Sequence, residues 1–138
     1  MRACYEGREI LDYTEFLRRV EQQIGATQPI TDTQHAAEQA ITATLETLSE
    51  RLTGGEASDL AAQLPAQLQA PLERSAEEAE GFSLEEFYRR IAEREGADVD
   101  TARNDASAVM TVVGMAVTAG QLDHLRSQLP AEFNVLFR

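Results

Sequence analysis

Two histidines, His35 and His124, are the first side chains in this chain that could act as a general base or bind a metal. A helical metal site places two ligands one turn apart, as in His-x-x-x-His or His-Glu-x-x-His, and neither histidine has such a neighbour. Asp123 directly precedes His124, so the two side chains point in different directions on a helix. We therefore expect both histidines to face solvent or cap helices, and we predict neither a metal site nor a catalytic base.

Acidic side chains are abundant and occur in runs. Glu77, Glu78 and Glu80 form one run, and Glu85 and Glu86 form another. Two carboxyl groups divide acid–base work only when burial separates their pKa values. These runs fall in a linker and in the first turn of a helix, where negative charge favours the helix N-terminus. We interpret them as solvated residues, so the sequence offers no catalytic carboxylate pair.

Two arginine pairs are the best candidates for a binding role. The candidates are Arg18, Arg19, Arg89 and Arg90. The pairs stand at equivalent positions of two similar helices, where Glu15 can bind Arg19 and Glu86 can bind Arg90 at i,i+4. These intrahelical ion pairs give the arginines a structural explanation. The alternative is a pseudo-symmetric set of guanidinium groups that binds an acidic partner or ligand.

Neither the single cysteine nor the paired glycines indicate a cofactor. Cys4 can form no internal disulfide and no cysteine-based zinc site, and no cluster of cationic residues beside it favours a reactive thiolate. The pair Gly54-Gly55 follows a helix and lacks the lysine of a nucleotide-binding loop. We expect Cys4 to be an inert surface thiol, and we predict no cofactor.

The charge balance excludes several classes of partner. The chain has 24 acidic and 12 basic side chains, all of the latter arginine, which gives a net charge of −12. Nucleic acids and anionic membranes attract positive surfaces, so neither is an expected partner. The missing lysine suggests a GC-rich genome, and the acidic excess suggests a salt-loving host in which ions screen the self-repulsion.

The hydropathy pattern indicates a soluble protein. The N-terminus lacks the apolar core of a signal peptide. The longest nearly apolar stretch, Ala108–Ala119, falls short of the roughly 20 residues that span a bilayer. We therefore expect a cytoplasmic protein that does not enter a membrane.

An internal duplication organises the chain. The segment Asp12–Val20 reappears as Ser83–Ile91, and the element Gln63–Ala66 reappears as Gln128–Ala131. A repeated order of motifs predicts two copies of one structural unit.

The first helix of each copy has clear end signals. Asp12 and Ser83 are N-cap residues, and each is followed three residues later by a glutamate, as in a capping box. Gly25 and Gly96 predict the helix ends, because glycine readily adopts the left-handed conformation that terminates a helix.

A longer helix follows in each copy. Thr31 or Asp32 can cap the first of them, and the second is expected to run from about Asp98 or Asp100 to Thr118. The stretch Ala108–Ala119 is apolar on every side, so we predict that the second long helix is the central core element or lies in an interface. Gly114 in its middle suggests a close helix crossing there.

We predict an all-α fold, a compact helical bundle in which two tandem copies share one core. Each copy contains a first helix, a long helix and short helices delimited by leucine and proline. Residues 1–11 form a tail, the copies cover about residues 12–73 and 82–138, and residues 74–81 link them. Because a unit of about 60 residues has a marginal core, we expect one domain over 12–138 with a pseudo-two-fold axis.

The order of these motifs resembles the prokaryotic domain-of-unknown-function 2267 family. The motifs are Tyr13-x-x-Phe16, Leu48-x-x-Arg51-Leu52-x-Gly54-Gly55-Glu56-x-x-x-Leu60 and Gln63-Leu64-Pro65. The resemblance extends over about Asp12 to Phe137 and implies an all-helical fold in two related halves, with no established activity, cofactor or catalytic residue. The second copy departs from the first where Ala116 and Gln121 replace Arg51 and Glu56.

The sequence favours an interaction protein over an enzyme. No catalytic constellation is present in it, so we expect a non-enzymatic soluble interaction or scaffolding module, with a protein partner or self-association through helix faces. The alternative is a small-molecule-binding protein that uses a crevice between the two copies. A pocket that encloses a buried carboxylate or histidine with a shifted pKa would instead indicate an enzyme.

Overall fold

The computed structural model describes residues 4–5, 8–9, 11–27, 33–73 and 78–137. Within these ranges the α-helices are α1 (Tyr13–Thr27), α2 (Thr33–Arg51), α3 (Gly54–Ala62), α4 (Leu84–Glu95), α5 (Val99–Ala116) and α6 (Ala119–Ser127). Short 3₁₀ segments follow α3 at Ala66–Leu68 and Ala70–Leu72, and another follows α6 at Ala131–Phe137. The predicted all-α fold class is confirmed. No helix of the described ranges is both long and apolar enough to cross a membrane.

A short antiparallel pairing precedes the helices. Strands β1 (Cys4–Tyr5) and β2 (Arg8–Glu9) pair with Cys4 opposite Glu9, and β2 lies against α5. Leu11, which follows, is buried in the core. The tail predicted over residues 1–11 thus contains a strand pairing that the sequence does not indicate.

The predicted caps at the helix starts are confirmed. Asp12 Oδ1 accepts a hydrogen bond from the Glu15 backbone N–H at 2.8 Å, and Ser83 Oγ accepts one from the Glu86 N–H at 3.2 Å. Asp98 caps α5 in the same way, through the N–H of Thr101 at 2.8 Å. The predicted caps Thr31 and Asp32 of α2 lie outside the described residues.

The two predicted glycine stops have different outcomes. Gly96 adopts a left-handed conformation with φ 67° and ends α4, as predicted. Helix α1, however, continues through Gly25 to Thr27, so that prediction is wrong. A glycine near a helix end lowers helix propensity by only about 1 kcal/mol, which the surrounding structure can offset.

Helix α5 is the central element, as its all-round apolar sequence predicted. Val109, Met110, Val112 and Val113 are completely buried, and α5 packs against α1, α2, α4 and the C-terminal 3₁₀ segment. The close crossing expected at Gly114 is absent, because a Cβ there would meet its nearest neighbour, the side chain of Leu122, at an ordinary 3.9 Å.

The helices follow one another in the same order in both halves of the chain. In each, a first helix, a long helix, a short helix and 3₁₀ structure succeed one another. Contacts of α1 with α5, α2 with α4 and α5, and α3 with α6 cross between the halves, and one cluster of buried apolar side chains includes residues of both. The halves therefore share a core. That they are tandem copies remains a prediction from the sequence.

Candidate functional site

The first arginine pair lies on α1 and shares one glutamate. Arg18 Nη2 lies 2.5 Å from Glu15 Oε2, and Arg19 Nε lies 3.0 Å from the same oxygen. Arg19 also reaches α5, where its Nη1 lies 3.4 Å from Met115 Sδ. The Arg18 side chain is 56% exposed and faces solvent. Arg19, in contrast, contacts a neighbouring helix.

The second pair repeats this arrangement on α4. Arg89 binds Glu86 and is 64% exposed, whereas Arg90 Nε lies 2.9 Å from Glu86 Oε2. The Arg90 guanidinium also lies 4.1 Å from the centre of the Phe82 ring and 3.2 Å from Glu80 Oε1. Arg90 is therefore held from several sides, and Arg89 is the outward-facing member.

Glu50 connects the second pair to α2. Its Oε1 accepts a hydrogen bond from Arg90 Nη1 at 3.2 Å, and its two oxygens bind Arg94 at 3.0 and 2.8 Å. Arg94 also donates to Thr47 Oγ1 at 2.5 Å. The hydrogen bonds from Arg94 lower the pKa of Glu50 below its ordinary value. Because this carboxylate joins two arginines of α4 to α2, it fixes one helix on the other.

The structure thus sorts the predicted binding residues into two kinds. The expected i,i+4 ion pairs are present in both helices. Arg19 and Arg90 also contact side chains outside their own helices, whereas Arg18 and Arg89 are the more exposed member of each pair. Both helices pack on the same two long helices, α2 and α5. A role in binding an acidic partner remains a prediction.

The repeated Gln-Leu-Pro element has a role that the sequence did not reveal. Gln63 Oε1 accepts a hydrogen bond from the backbone N–H of Thr118 at 2.9 Å. Conversely, Gln128 Oε1 accepts one from the backbone N–H of Thr53 at 3.3 Å. Thr53 and Thr118 are the N-cap residues of α3 and α6. Each glutamine therefore binds the residue that begins the short helix of the opposite half.

Between these two hydrogen bonds, Glu56 and Gln121 meet where α3 crosses α6. Glu56 is 6% exposed and accepts a hydrogen bond from the Gln121 side-chain amide. Burial, with the nearby charge of Asp59, raises the pKa of Glu56, while the charge of His124 acts in the opposite direction. Gln121 occupies the position in the second half that Glu56 occupies in the first. Its side-chain amide supplies a hydrogen-bond donor for the buried carboxylate of Glu56.

Replacing the reciprocal glutamines should destabilise the fold. In Gln63→Ala the buried Thr118 N–H loses its acceptor, and we expect the free energy of unfolding to fall by about 1–3 kcal/mol. The longer Gln128 hydrogen bond should contribute less, about 1 kcal/mol. Urea denaturation followed by circular dichroism measures both changes, with exposed Gln67→Ala as the control. Equal effects of Gln63→Ala and Gln67→Ala would contradict this role.

A half-buried and a buried carboxyl group, those of Glu95 and Asp105, meet between α4 and α5. Glu95, in the last turn of α4, is hydrogen-bonded to Asp105 of α5, which is 6% exposed. Glu95 Oε1 is buried and has no hydrogen-bond partner. Burial, followed by the hydrogen bond to Asp105 and its charge, raises the pKa of Glu95 to about 9. The Glu95 carboxyl therefore keeps its proton to a higher pH than an exposed glutamate does.

This pair was not among the predicted sites, although the sequence carries a signal for it. In the first half the equivalent positions hold Ile24 and Ala40, and both are buried. Glu95 and Asp105 thus put carboxyl groups where the other half has apolar side chains. The signal in the sequence is this replacement of two apolar core residues by two acidic ones.

Two clefts of ligand-binding size lie elsewhere on the surface. One has a volume of about 420 Å³ and is lined by Gly54, Ser58, Ala61, Ala62, Gln69, Leu72 and Glu73. The other, of about 300 Å³, is lined by His35, Glu38, Gln39, Thr42, Ala43, Glu46 and Arg94. Glu95 and Asp105 line neither of them. The shifted carboxyl pair that would indicate an enzyme is therefore not enclosed by these two clefts.

The histidines and cysteine form no shared site in the described part of the chain. His35 and His124 are both exposed, as predicted. No group of three or more histidine, cysteine, aspartate or glutamate side chains in the described ranges could hold a metal ion. Cys4 lies in β1.

These features define an all-α fold with one core, in which Glu50 of α2 binds Arg90 and Arg94 of α4. The family model of DUF2267, described as an uncharacterized conserved protein, matches residues 13–136. The chain belongs to this family. No curated protein matches it.

Proposed function

We propose that this protein is a non-enzymatic interaction module of the cytoplasm, which binds an acidic protein surface through Arg18 and Arg89. The observation that carries the proposal is the exposure of these side chains, 56% and 64%, at equivalent positions of α1 and α4. Their neighbours Arg19 and Arg90 are held by contacts to other elements. The two exposed guanidinium groups therefore lie beside arginines that contact other elements of the fold.

The exposed arginines are available for exchange with a partner. Arg18 and Arg89 each bind a glutamate of their own helix, and such surface ion pairs contribute only about 0–1 kcal/mol. A carboxylate of a partner can take the place of Glu15 or Glu86 at little cost. Guanidinium groups bind carboxylates with two parallel hydrogen bonds, which gives the contact a defined geometry.

A tandem duplication explains why two equivalent arginines are present. Two copies of one helical unit offer the same contact twice, so a partner with two acidic segments, or a second copy of this acidic chain, gains avidity. The net charge of −12 opposes self-association at low salt, and a salt-loving host would screen that repulsion.

Charge reversal tests the proposal. Arg18→Glu/Arg89→Glu should weaken capture of the partner, or formation of the dimer, at least about tenfold through loss of two charge-assisted contacts. Affinity capture from host lysate at native salt, followed by native mass spectrometry, measures both. The control Arg103→Glu/Arg126→Glu makes the same change in charge at other exposed arginines. Equal binding by the Arg18/Arg89 variant, or recovery of bare monomer only, would contradict the proposal.

A small-molecule-binding protein is the second candidate. The supporting observation is the cleft of about 300 Å³ between α2 and Arg94 of α4, because it joins the two halves and reaches the lower size limit of ligand sites. The same native mass spectra decide between the candidates. A small molecule that remains bound to wild type and to the Arg18→Glu/Arg89→Glu variant would favour this alternative.

A further inference from the structure

The larger cleft lies between α3 and the 3₁₀ segment Ala70–Leu72 that follows it. Its volume of about 420 Å³ is within the range of small-molecule sites. Gln69 Nε2 donates to the backbone oxygen of Ala61 at 3.2 Å, which ties the start of the 3₁₀ segment to α3. The two walls of the cleft are therefore bound to each other.

The polar side chains of the cleft offer acceptors and negative charge. Glu73 contributes a carboxylate, Ser58 a hydroxyl group, and Gln69 an amide oxygen that its bond to α3 does not use. Among the described residues that line the cleft, none is cationic. The start of α3 at Gly54 would by itself favour an anion, but the first turn of this helix already contains the carboxyl group of Glu56. The cleft is therefore suited to a cation that donates hydrogen bonds.

The second half has a cation of its own at the corresponding place. Helices α3 and α6 are both nine residues long, and each begins after a threonine cap and ends before the glutamine of a Gln-Leu-Pro element. In this alignment Arg126 of α6 stands where α3 has Ala61. The Arg126 guanidinium lies 5.8 Å from the centre of the Phe137 ring, in the 3₁₀ segment that follows α6. The second half thus supplies a guanidinium where the first half has only a methyl group.

We propose that the cleft binds an alkylguanidinium ion, which is either a free small molecule or the arginine side chain of a partner. Its guanidinium donates to the carboxylate of Glu73, a pairing that two parallel hydrogen bonds make specific. Its alkyl chain lies on Ala61 and on Leu72, which is 2% exposed and gives the cleft an apolar floor. The site includes neither Arg18 nor Arg89, so it is independent of the interaction proposed above.

Nuclear magnetic resonance of the full chain tests the site, with butylguanidinium as the probe. The probe should shift the backbone amide signals of Ser58, Ala61 and Gln69, with a Kd of about 1–10 mM for so small a ligand. Butylurea has a similar shape but no charge, so it should bind at least about tenfold more weakly. Tighter binding of N-acetylarginine amide than of butylguanidinium would identify a partner's side chain as the ligand, and the reverse order would identify a free small molecule.

Two variants remove the site in different ways. Ala61→Arg introduces the side chain of the second half into the cleft, and Glu73→Gln removes the negative charge. Each should weaken binding of butylguanidinium at least about tenfold. The matched control is Glu132→Gln, the same chemical change at an exposed glutamate outside the cleft, which should leave binding unchanged. Binding equal to that of the wild type in either cleft variant, or shifts no larger at the cleft than at Glu132, would overturn the proposal.

Discussion

Between about pH 5 and about pH 9 we expect the free energy of unfolding of the wild-type protein to fall by about 2 kcal/mol, and Glu95→Gln should remove most of this fall. The folded-state pKa of Glu95 is raised to about 9 from an ordinary 4.5. Across that interval the unfolded chain releases its proton while the folded chain retains it, so rising pH favours unfolding. The expected change is smaller than the full pKa shift would give, because part of the Glu95 side chain is exposed to water, which screens its charge. Urea denaturation at a series of pH values measures it.

The matched control for this prediction is Glu85→Gln, the same chemical change on a side chain that is 70% exposed. It should leave the alkaline part of the profile unchanged. At acidic pH the direction reverses, because hydrogen bonds from arginines lower the pKa of Glu50 and of Glu86. Their stabilisation is lost as pH falls below the ordinary range of a glutamate, so the profile should peak near pH 5. A wild-type stability that increases from pH 5 to pH 9 would contradict the prediction.

Phe133→Ala should lower the free energy of unfolding by about 3–5 kcal/mol. Phe133 is completely buried, and its ring meets that of Phe87 edge-on, with centroids 5.6 Å apart. The guanidinium of Arg51, from the other half, lies 5.5 Å from the centre of the same ring. Truncation therefore leaves a cavity and removes an aromatic pair together with a cation–π contact. Thermal and urea denaturation measure the loss.

Val135 provides the control for Phe133, because it lies in the same 3₁₀ segment and is 42% exposed. Val135→Ala should change stability by less than about 0.5 kcal/mol. If Phe133→Ala does not fold, Phe133→Leu, which introduces the residue of the equivalent position Leu68, should give a smaller and measurable loss. Equal effects at Phe133 and Val135 would mean that this segment does not contribute to the core.

The features that could be predicted from the sequence are those with a local physical cause. The caps at Asp12 and Ser83, and the left-handed stop at Gly96, depend on residues within one turn. The i,i+4 pairing of Glu86 with Arg90 is set by helix geometry alone, and it is present. Gly25 shows the limit of such signals, because the same residue type that ends α4 lies inside α1.

The features that escaped prediction are contacts between residues distant in the chain. The bond of Gln63 to Thr118 and the bridge from Arg94 to Glu50 depend on how helices cross, which no spacing in the sequence states. Glu95 and Asp105 looked like ordinary acids in an acidic protein, because burial that shifts a carboxyl pKa is decided by tertiary packing. The sequence carries one signal of the Glu95–Asp105 pair, which is that Ile24 occupies the position in the first copy that Glu95 occupies in the second.

The reciprocal glutamines have a consequence for how this chain can change over time. Gln63 completes the start of α6, and Gln128 completes the start of α3, so each half supplies a group that the other half lacks. A substitution of the glutamine in one Gln-Leu-Pro element therefore removes a hydrogen-bond acceptor from the start of a helix in the other half. Residues 53 and 128, and residues 63 and 118, should vary together among related chains, and neither half should persist as an independent gene without a replacement for its missing acceptor.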